Sequence, residues 1–225
     1  KAYQDLCQRH GLKECRSWMV RLLWGFRVDE LRTYAQEAVK DELARPLTTE
    51  VIREHAGDAA PVEVRRGVRM IAEMADLIVH LKKFGFDVWV VGDDGQEFIE
   101  AMAGHYGIEP SRTLGIRSGS HEGKITDEIL EPVPVESGKA SVVAAALGRV
   151  PALVVGADGG DAELLGYGSG LRLLLDKGNG ALRAAAAEKG WLVQPAFARP
   201  ANSAAAAAVE ELPGLKTPKK TPVLP

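Results

Sequence analysis

The stretch that decides the fold is residues 152 to 165, ALVVGADGGDAELL. It begins with a short apolar run typical of a buried β-strand, continues through a glycine-rich turn with Asp158 and Asp161, and ends in a run typical of a helix. A strand that leads through a turn into a helix is the repeating unit of α/β proteins. The two carboxylates raise the question of a metal site, since hard cations prefer oxygen ligands, yet Ala157 follows the strand glycine directly.

The same order of strand and helix recurs on both sides of this stretch. Upstream, FDVWVV at 86–91 predicts a strand, GDDGQ a loop, and EFIEAMAGHYG at 97–107 a helix. Downstream, apolar runs at 171–175 and 191–194 predict strands on either side of a helix at 181–189. This alternation predicts a parallel sheet covered by helices on both faces, with ligands at the carboxyl ends of the strands.

The segment between these units carries one more strand and helix. TLGI at 113–116 predicts a short strand, the polar residues 117–136 predict a hairpin, and 137–147 predict a helix. The lysine of Ser-Gly-Lys, Lys139, therefore stands at the start of a helix.

The N-terminal part differs from the rest because it shows helical patterns alone. Residues 1–45 predict short amphipathic helices, 45–60 a connector with a short helix, and 61–84 one amphipathic helix of about six turns ended by Gly85. We therefore predict three parts: a helical lobe with its connector at 1–60, an α/β domain at 61–200, and a C-terminal extension at 201–225.

Composition narrows the classes of partner. The 225 residues are 46% hydrophobic and carry a formal net charge of -3, with both signs mixed along the chain. Such a charge pattern argues against nucleic acid and anionic membranes, and favours a small polar or phosphorylated metabolite. No apolar run approaches the roughly 18 residues of a membrane span. Cys7 and Cys15 would lie about 12 Å apart on one continuous helix, too far for a disulfide, which predicts a reducing, cytoplasmic setting.

Three motifs stand in a fixed order along the chain: VVGDDG, then SGK with Lys139, then GADGGD. Together they resemble the later motifs of the haloacid dehalogenase superfamily, most closely its phosphoserine and phosphorylcholine phosphatase branch. The resemblance covers nearly the whole chain, including the LKKFGFDVWVV entry and the GLRLLLDKG segment. It implies a Rossmannoid parallel sheet flanked by helices, an N-terminal helical cap lobe, and hydrolysis of small phosphomonoesters with Mg²⁺.

The first two motifs match that family only in part. Lys139 stands where the family's lysine neutralises charge on the transferred phosphoryl group. Gly92 stands where the family has Ser or Thr, so the hydroxyl that donates to a phosphate oxygen is absent. Asp93 and Asp94 follow, and two carboxylates facing a phosphate dianion repel it unless a cation intervenes.

The last motif is also incomplete. Asp161 matches the family's second metal-binding acid, Ala157 replaces the first, and Asp158 is the neighbour that could compensate. Helix capping is an alternative role for Asp158 and Asp161, and for Asp93 and Asp94, while Lys139 could be a solvated lysine at a helix start.

The family's nucleophile is an aspartate in an Asp-x-Asp motif after the first strand, and no segment of this chain offers that motif. Two hypotheses follow. In the first, the protein is a non-catalytic relative that serves as a binding or assembly module for a small phosphorylated metabolite or a protein partner. In the second, a segment upstream of Lys1 supplies the nucleophile strand, and the whole is a magnesium-dependent phosphatase.

Overall fold

The computed structural model describes residues 2–53 and 61–197, so the predicted C-terminal extension at 201–225 lies outside the described residues. The α-helices are Ala2–His10 (α1), Leu12–Arg21 (α2), Val28–Ala44 (α3), Ala72–Lys83 (α4), Gln96–Gly104 (α5), Gly138–Leu147 (α6), Ala162–Tyr167 (α7) and Gly180–Lys189 (α8). The strands are Thr48–Ile52 (β1), Val62–Arg66 (β2), Val90–Gly95 (β3), Thr113–His121 (β4), Lys124–Leu130 (β5), Leu153–Gly156 (β6), Leu171–Asp176 (β7) and Leu192–Pro195 (β8). Short 3-10 turns precede β4 at Pro110–Arg112 and α7 at Gly159–Asp161.

The strands form three hydrogen-bonded groups among the described residues. Strands β6, β7 and β8 pair in parallel, in register from Leu153 opposite Leu171 at one end. Strand β3 pairs in parallel with β4, and β4 turns into an antiparallel hairpin with β5, as the polar segment after TLGI predicts. The α/β class is confirmed, while the haloacid dehalogenase-like arrangement and its cap stay predictions.

The single helix predicted over 61–84 is wrong in its first half. Val62–Arg66 form β2, which pairs antiparallel with β1, and α4 begins only at Ala72. The apolar spacing of four residues between Val64 and Val68 fits a strand as well as a helix, because positions four apart share a face in both. Gly67 ends the strand with a φ of 82°. Its backbone passes so close to the carbonyl of Pro46 that no side chain fits there.

The connector also differs from its prediction where the structure describes it. Residues 48–52 form β1 rather than a short helix, and 54–60 lie outside the described residues. Strands β1 and β2 pair with each other, although the sequence places a domain boundary at residue 60, between them in the chain. The boundary itself stays a prediction.

The two cysteines form a disulfide, which corrects the expectation that they lie too far apart. Gly11 breaks the chain between α1 and α2 with a φ of 85°, so the two helices fold back on each other. The Cα atoms of Cys7 and Cys15 are 5.0 Å apart, and Cys15 is fully buried. The expected 12 Å assumed one continuous helix. The cysteines therefore give no support to a reducing compartment, and a cytoplasmic location stays a prediction.

The N-terminal helices pack directly on the rest of the protein. Val20 of α2 joins Ile116, Val133 and Val135 in one buried cluster, while α3 packs against α5. The largest buried cluster lies between α6, α7 and α8 and the strands β6 and β7, with Leu165 and Leu174 at its centre. None of the described helices is long and apolar enough to cross a membrane.

Candidate functional site

Lys139 and Asp161 form an ion pair at the carboxyl end of β6. Lys139 is the second residue of α6, and its Nζ donates to Asp161 Oδ1 at 2.7 Å. The two side chains are only 7% and 16% exposed. Gly138 allows this position because the start of α6 lies against the carbonyl oxygen of Val133, where a Cβ would clash. Lys139 is therefore a buried, paired residue rather than a solvated lysine at a helix start.

The turn GADGGD is held together by its own two carboxylates. Asp161 Oδ2 accepts hydrogen bonds from the backbone N–H groups of Ala157 at 2.7 Å and Asp158 at 3.2 Å. Asp158 in turn accepts the N–H of Gly160 at 3.1 Å, which completes a capping box at the start of the 3-10 turn. Both oxygens of Asp161 are thus engaged within the protein.

The ion pair shifts both pKa values in favour of the charged forms. Burial alone would lower the pKa of Lys139, but the hydrogen bond and charge of Asp161, with the charges of Asp93 and Asp158, raise it above its ordinary value. Burial likewise opposes the charged form of Asp161, but Lys139 and the N–H of Ala157 hold the pKa of Asp161 below its ordinary value. The pair is charged across the whole neutral range.

Asp93 and Asp94, at the end of β3, contact an arginine that the sequence analysis missed. Arg16 of α2 donates to Asp94 Oδ1 at 2.9 Å, and its Nε lies 3.4 Å from Asp93 Oδ2. No local pattern marks Arg16, because it stands 78 residues from Asp94 in the chain. Burial raises the pKa of Asp94, against the opposing charge of Arg16. The Asp94 side chain is still 59% exposed, so water screens these effects.

The glycine at position 92 lies in close packing with a side chain of α5. A Cβ at this position would run into the side chain of Ile99, which fills the space beside β3 from α5. A serine or threonine would fit only if Ile99 moved.

The predicted site residues come together at the carboxyl ends of β3 and β6. The ammonium of Lys139 interacts electrostatically with Asp93, Asp94 and Asp158 as well as with its partner Asp161. These four carboxylates outnumber Lys139 and Arg16 by two charges. A phosphate dianion entering this cluster would meet net repulsion.

The arrangement does not fit Mg²⁺. Magnesium demands near-ideal octahedral oxygen coordination. Over residues 2–53 and 61–197, no group of three or more His, Cys, Asp or Glu side chains is placed to hold a metal ion. Both oxygens of Asp161 face an ammonium or backbone N–H groups, and Ala157 supplies no ligand side chain.

A cleft lies beside β3 and β6, and it is lined by Val90 and Val91 of β3 and by all four residues of β6. Its volume is about 610 Å³, and its walls include Val88 to Val91 on one side and Ala152 to Ala157 on the other. Leu77, Ile78 and Leu81 of α4 also line it, as do Val143 and Leu147 of α6. Asp161 also lines the cleft, so the cleft reaches one carboxylate of the cluster.

Comparisons with known proteins support the fold and no more. No family model and no curated protein matches the chain. The chain is similar to the solved structure of a conserved protein of unknown function from Anaerococcus prevotii, with 22% identity and a TM-score of 0.68 over 78% of this chain. It spans 52% of that protein's length. A second similar structure, a protein of unknown function from Bordetella pertussis, has 18% identity and a TM-score of 0.60, covering 87% of this chain and 80% of the other.

Proposed function

We propose that the protein is a non-catalytic, haloacid dehalogenase-like α/β domain that serves as a binding or assembly module. The observation that carries this proposal is the closed Lys139–Asp161 pair. In the family that the motifs resemble, these residues would neutralise a phosphoryl group and hold a metal ion. Here Lys139 binds Asp161, and Asp161 completes its hydrogen bonds with the backbone of its own turn.

The charges around the pair support the same proposal. Catalysis of phosphoryl transfer depends on positioning and on neutralising the charge that develops in the transition state. The cluster carries more carboxylates than cations, and Arg16 is engaged by Asp93 and Asp94. A serine or threonine in place of Gly92 would require the end of the Ile99 side chain to shift.

An activity assay tests the proposal directly. We expect the purified 225-residue protein to hydrolyse para-nitrophenyl phosphate with Mg²⁺ no faster than a buffer control. A turnover that scales with protein concentration and disappears in Lys139→Ala would contradict the proposal. Lys83→Ala is the matched control, because it removes an exposed lysine at the end of α4, before the amino end of β3 rather than at its carboxyl end.

The second candidate is a magnesium-dependent phosphatase of phosphoserine or phosphorylcholine type. One observation favours it: Lys139 and the four carboxylates gather at the carboxyl ends of parallel strands, where α/β enzymes bind their ligands. This candidate needs a nucleophile from a segment upstream of Lys1. Turnover of phosphoserine or phosphorylcholine with Mg²⁺ separates the two candidates, because a non-catalytic module can also bind phosphate. Hydrolysis that is lost in Lys139→Ala supports the phosphatase, and binding without hydrolysis supports the non-catalytic module.

A further inference from the structure

We propose that the outer edge of β1 pairs with β1 of a second copy of this chain, so that the protein forms a two-fold symmetric dimer. The β1–β2 ribbons of the two copies would join into one antiparallel sheet of four strands. This proposal goes beyond the assembly role above, because it holds whether or not the carboxylate cluster is catalytic.

The first argument is the exposure of β1, whose residues Thr48–Ile52 are all exposed, with Val51 at 52% and Ile52 at 47%. In the part of the chain that the structure describes, β1 pairs with β2 only. Strand β2 is the inner strand of the ribbon, because alternate residues of it are half-buried and Arg66 contacts Glu42 of α3. The outer edge of β1 therefore offers backbone N–H and C=O groups to another strand.

The second argument is that β1 lacks the features that protect edge strands from pairing, such as lysine, proline or a bulge. Its sequence is TTEVI, and it pairs with β2 through all five residues without a break in register. Four of these five residues are β-branched, which favours a strand. The one charge of β1 has a counter-ion within the ribbon, because Arg66 Nε lies 3.3 Å from Glu50 Oε2. The edge strand β8, in contrast, ends in Pro195.

The third argument is that the sequence of β1 is complementary to itself in one antiparallel register. With the two-fold axis at Val51, this valine lies opposite its own copy, and Glu50 lies opposite Ile52 of the second copy. An axis at Glu50 would place two like charges opposite each other, which is destabilising. An axis at Thr49 would place Ile52 opposite Pro46, which has no backbone N–H. This self-complementarity favours a second copy over an unrelated strand as the occupant.

Pairing of the two copies also stabilises the ribbon itself. An isolated two-stranded ribbon is marginally stable in water, whereas three or more strands with an apolar face are stable. Ile52, Val62 and Val64 share one face of the ribbon, because Ile52 pairs with Val62 and Glu50 with Val64. In the proposed register, opposite residues share a face, so these apolar side chains of both copies lie on the same side of the four-stranded sheet.

Analytical ultracentrifugation of the 225-residue protein measures the association. We expect the average mass to rise toward twice that of one chain as the concentration increases from about 1 μM to about 1 mM. Val51→Lys should weaken the association about tenfold or more, because two ammonium groups would lie opposite each other at the axis. Val193→Lys is the matched control, since Val193 is 44% exposed on β8, and it should change the association less than about twofold. Circular dichroism checks that both variants fold.

A cysteine at the proposed axis tests the register. Opposite residues of an antiparallel pair have Cα atoms about 4.5 to 5.5 Å apart, which is within reach of a disulfide. Val51→Cys should therefore form a disulfide-linked dimer with oxidised glutathione, and Val193→Cys should stay largely monomeric on a non-reducing gel. Cys7 and Cys15 do not interfere, because they are already joined to each other within one chain.

Three results would overturn the proposal. The first is a monomer at every concentration up to about 1 mM, which would leave the edge of β1 to another occupant. The second is an association that Val51→Lys leaves unchanged, which would place the contact on another surface. The third is equal cross-linking of the two cysteine variants. Phosphatase turnover would refute the non-catalytic role and leave the dimer standing, so the two failures are distinguishable.

Discussion

Lys139→Met breaks the buried ion pair while keeping the length and apolar stem of the side chain. Removing one partner of a buried pair costs about 3 to 5 kcal/mol, because the other charge is left without its counter-ion. Asp161 keeps two backbone N–H donors and is 16% exposed, so the lower end of that range, about 3 kcal/mol, is expected.

Urea denaturation followed by far-UV circular dichroism measures this loss. With an m-value of about 2 kcal/mol per M, a loss of 3 kcal/mol moves the midpoint by about 1.5 M. Asp161→Asn should cost at least as much, since Lys139 is only 7% exposed and its remaining carboxylates are more distant. The double variant should lose less than the sum of the single variants, because neither charge is then left alone.

The pH dependence of the same loss follows from the direction of each pKa shift. The pKa of Asp161 is lowered, so its contribution is complete above its ordinary value of 3.8 and is lost as the pH falls through the lower folded value. The pKa of Lys139 is raised, so its contribution is complete below 10.5 and is lost as the pH rises through the higher folded value. The contribution of the pair to wild-type stability should therefore be constant between about pH 4 and pH 10 and fall outside that window.

A small loss would refute this reasoning. Lys177→Met is the control for replacing an exposed lysine, and it should change stability by less than about 0.5 kcal/mol. If Lys139→Met lost no more than that control, Lys139 would be a solvated lysine at a helix start. The non-catalytic proposal would then lose the observation that carries it.

Three further predictions concern other contacts of the fold. Arg16→Gln should raise the pKa of Asp94 further, because the charge of Arg16 is the largest influence that lowers this pKa. An NMR titration of the Asp94 carboxyl carbon measures the shift, and an unchanged pKa would contradict the contact. Gly138→Ala should destabilise the protein by more than about 2 kcal/mol, because the added Cβ would clash with a backbone carbonyl. Gly180→Ala is the control, because Gly180 is the first residue of α8 and has open space around it. This control substitution should be neutral or stabilise the protein by up to about 1 kcal/mol. Reducing the disulfide between α1 and α2 should lower the free energy of unfolding by about 2.5 kcal/mol, as expected for a closed loop of eight residues. As a control, dithiothreitol should not change the melting temperature of a variant in which both cysteines are serine.

Local patterns in the sequence were sufficient for the α/β class and for most of its elements. The runs around Leu153 and Leu171 alternate with helical segments, and this order alone requires a parallel sheet. The sequence also placed Lys139 and Asp161 in neighbouring loops, because both follow strands or begin helices at the same edge of that sheet. Such features depend on residues a few positions apart, so the local amino-acid sequence is sufficient to predict them.

The tertiary structure decided what depends on residues that are distant in the chain. Arg16 reaches Asp94 only because α2 packs on β4 and β5, and the disulfide forms only because Gly11 reverses the chain. The segment around Val64 is a strand because β1 is available to pair with it, although its spacing fits a helix equally well. The cleft beside β3 and β6 is likewise a property of packing, because its lining brings together Val88 to Val91 and Ala152 to Ala157, which are distant in the chain.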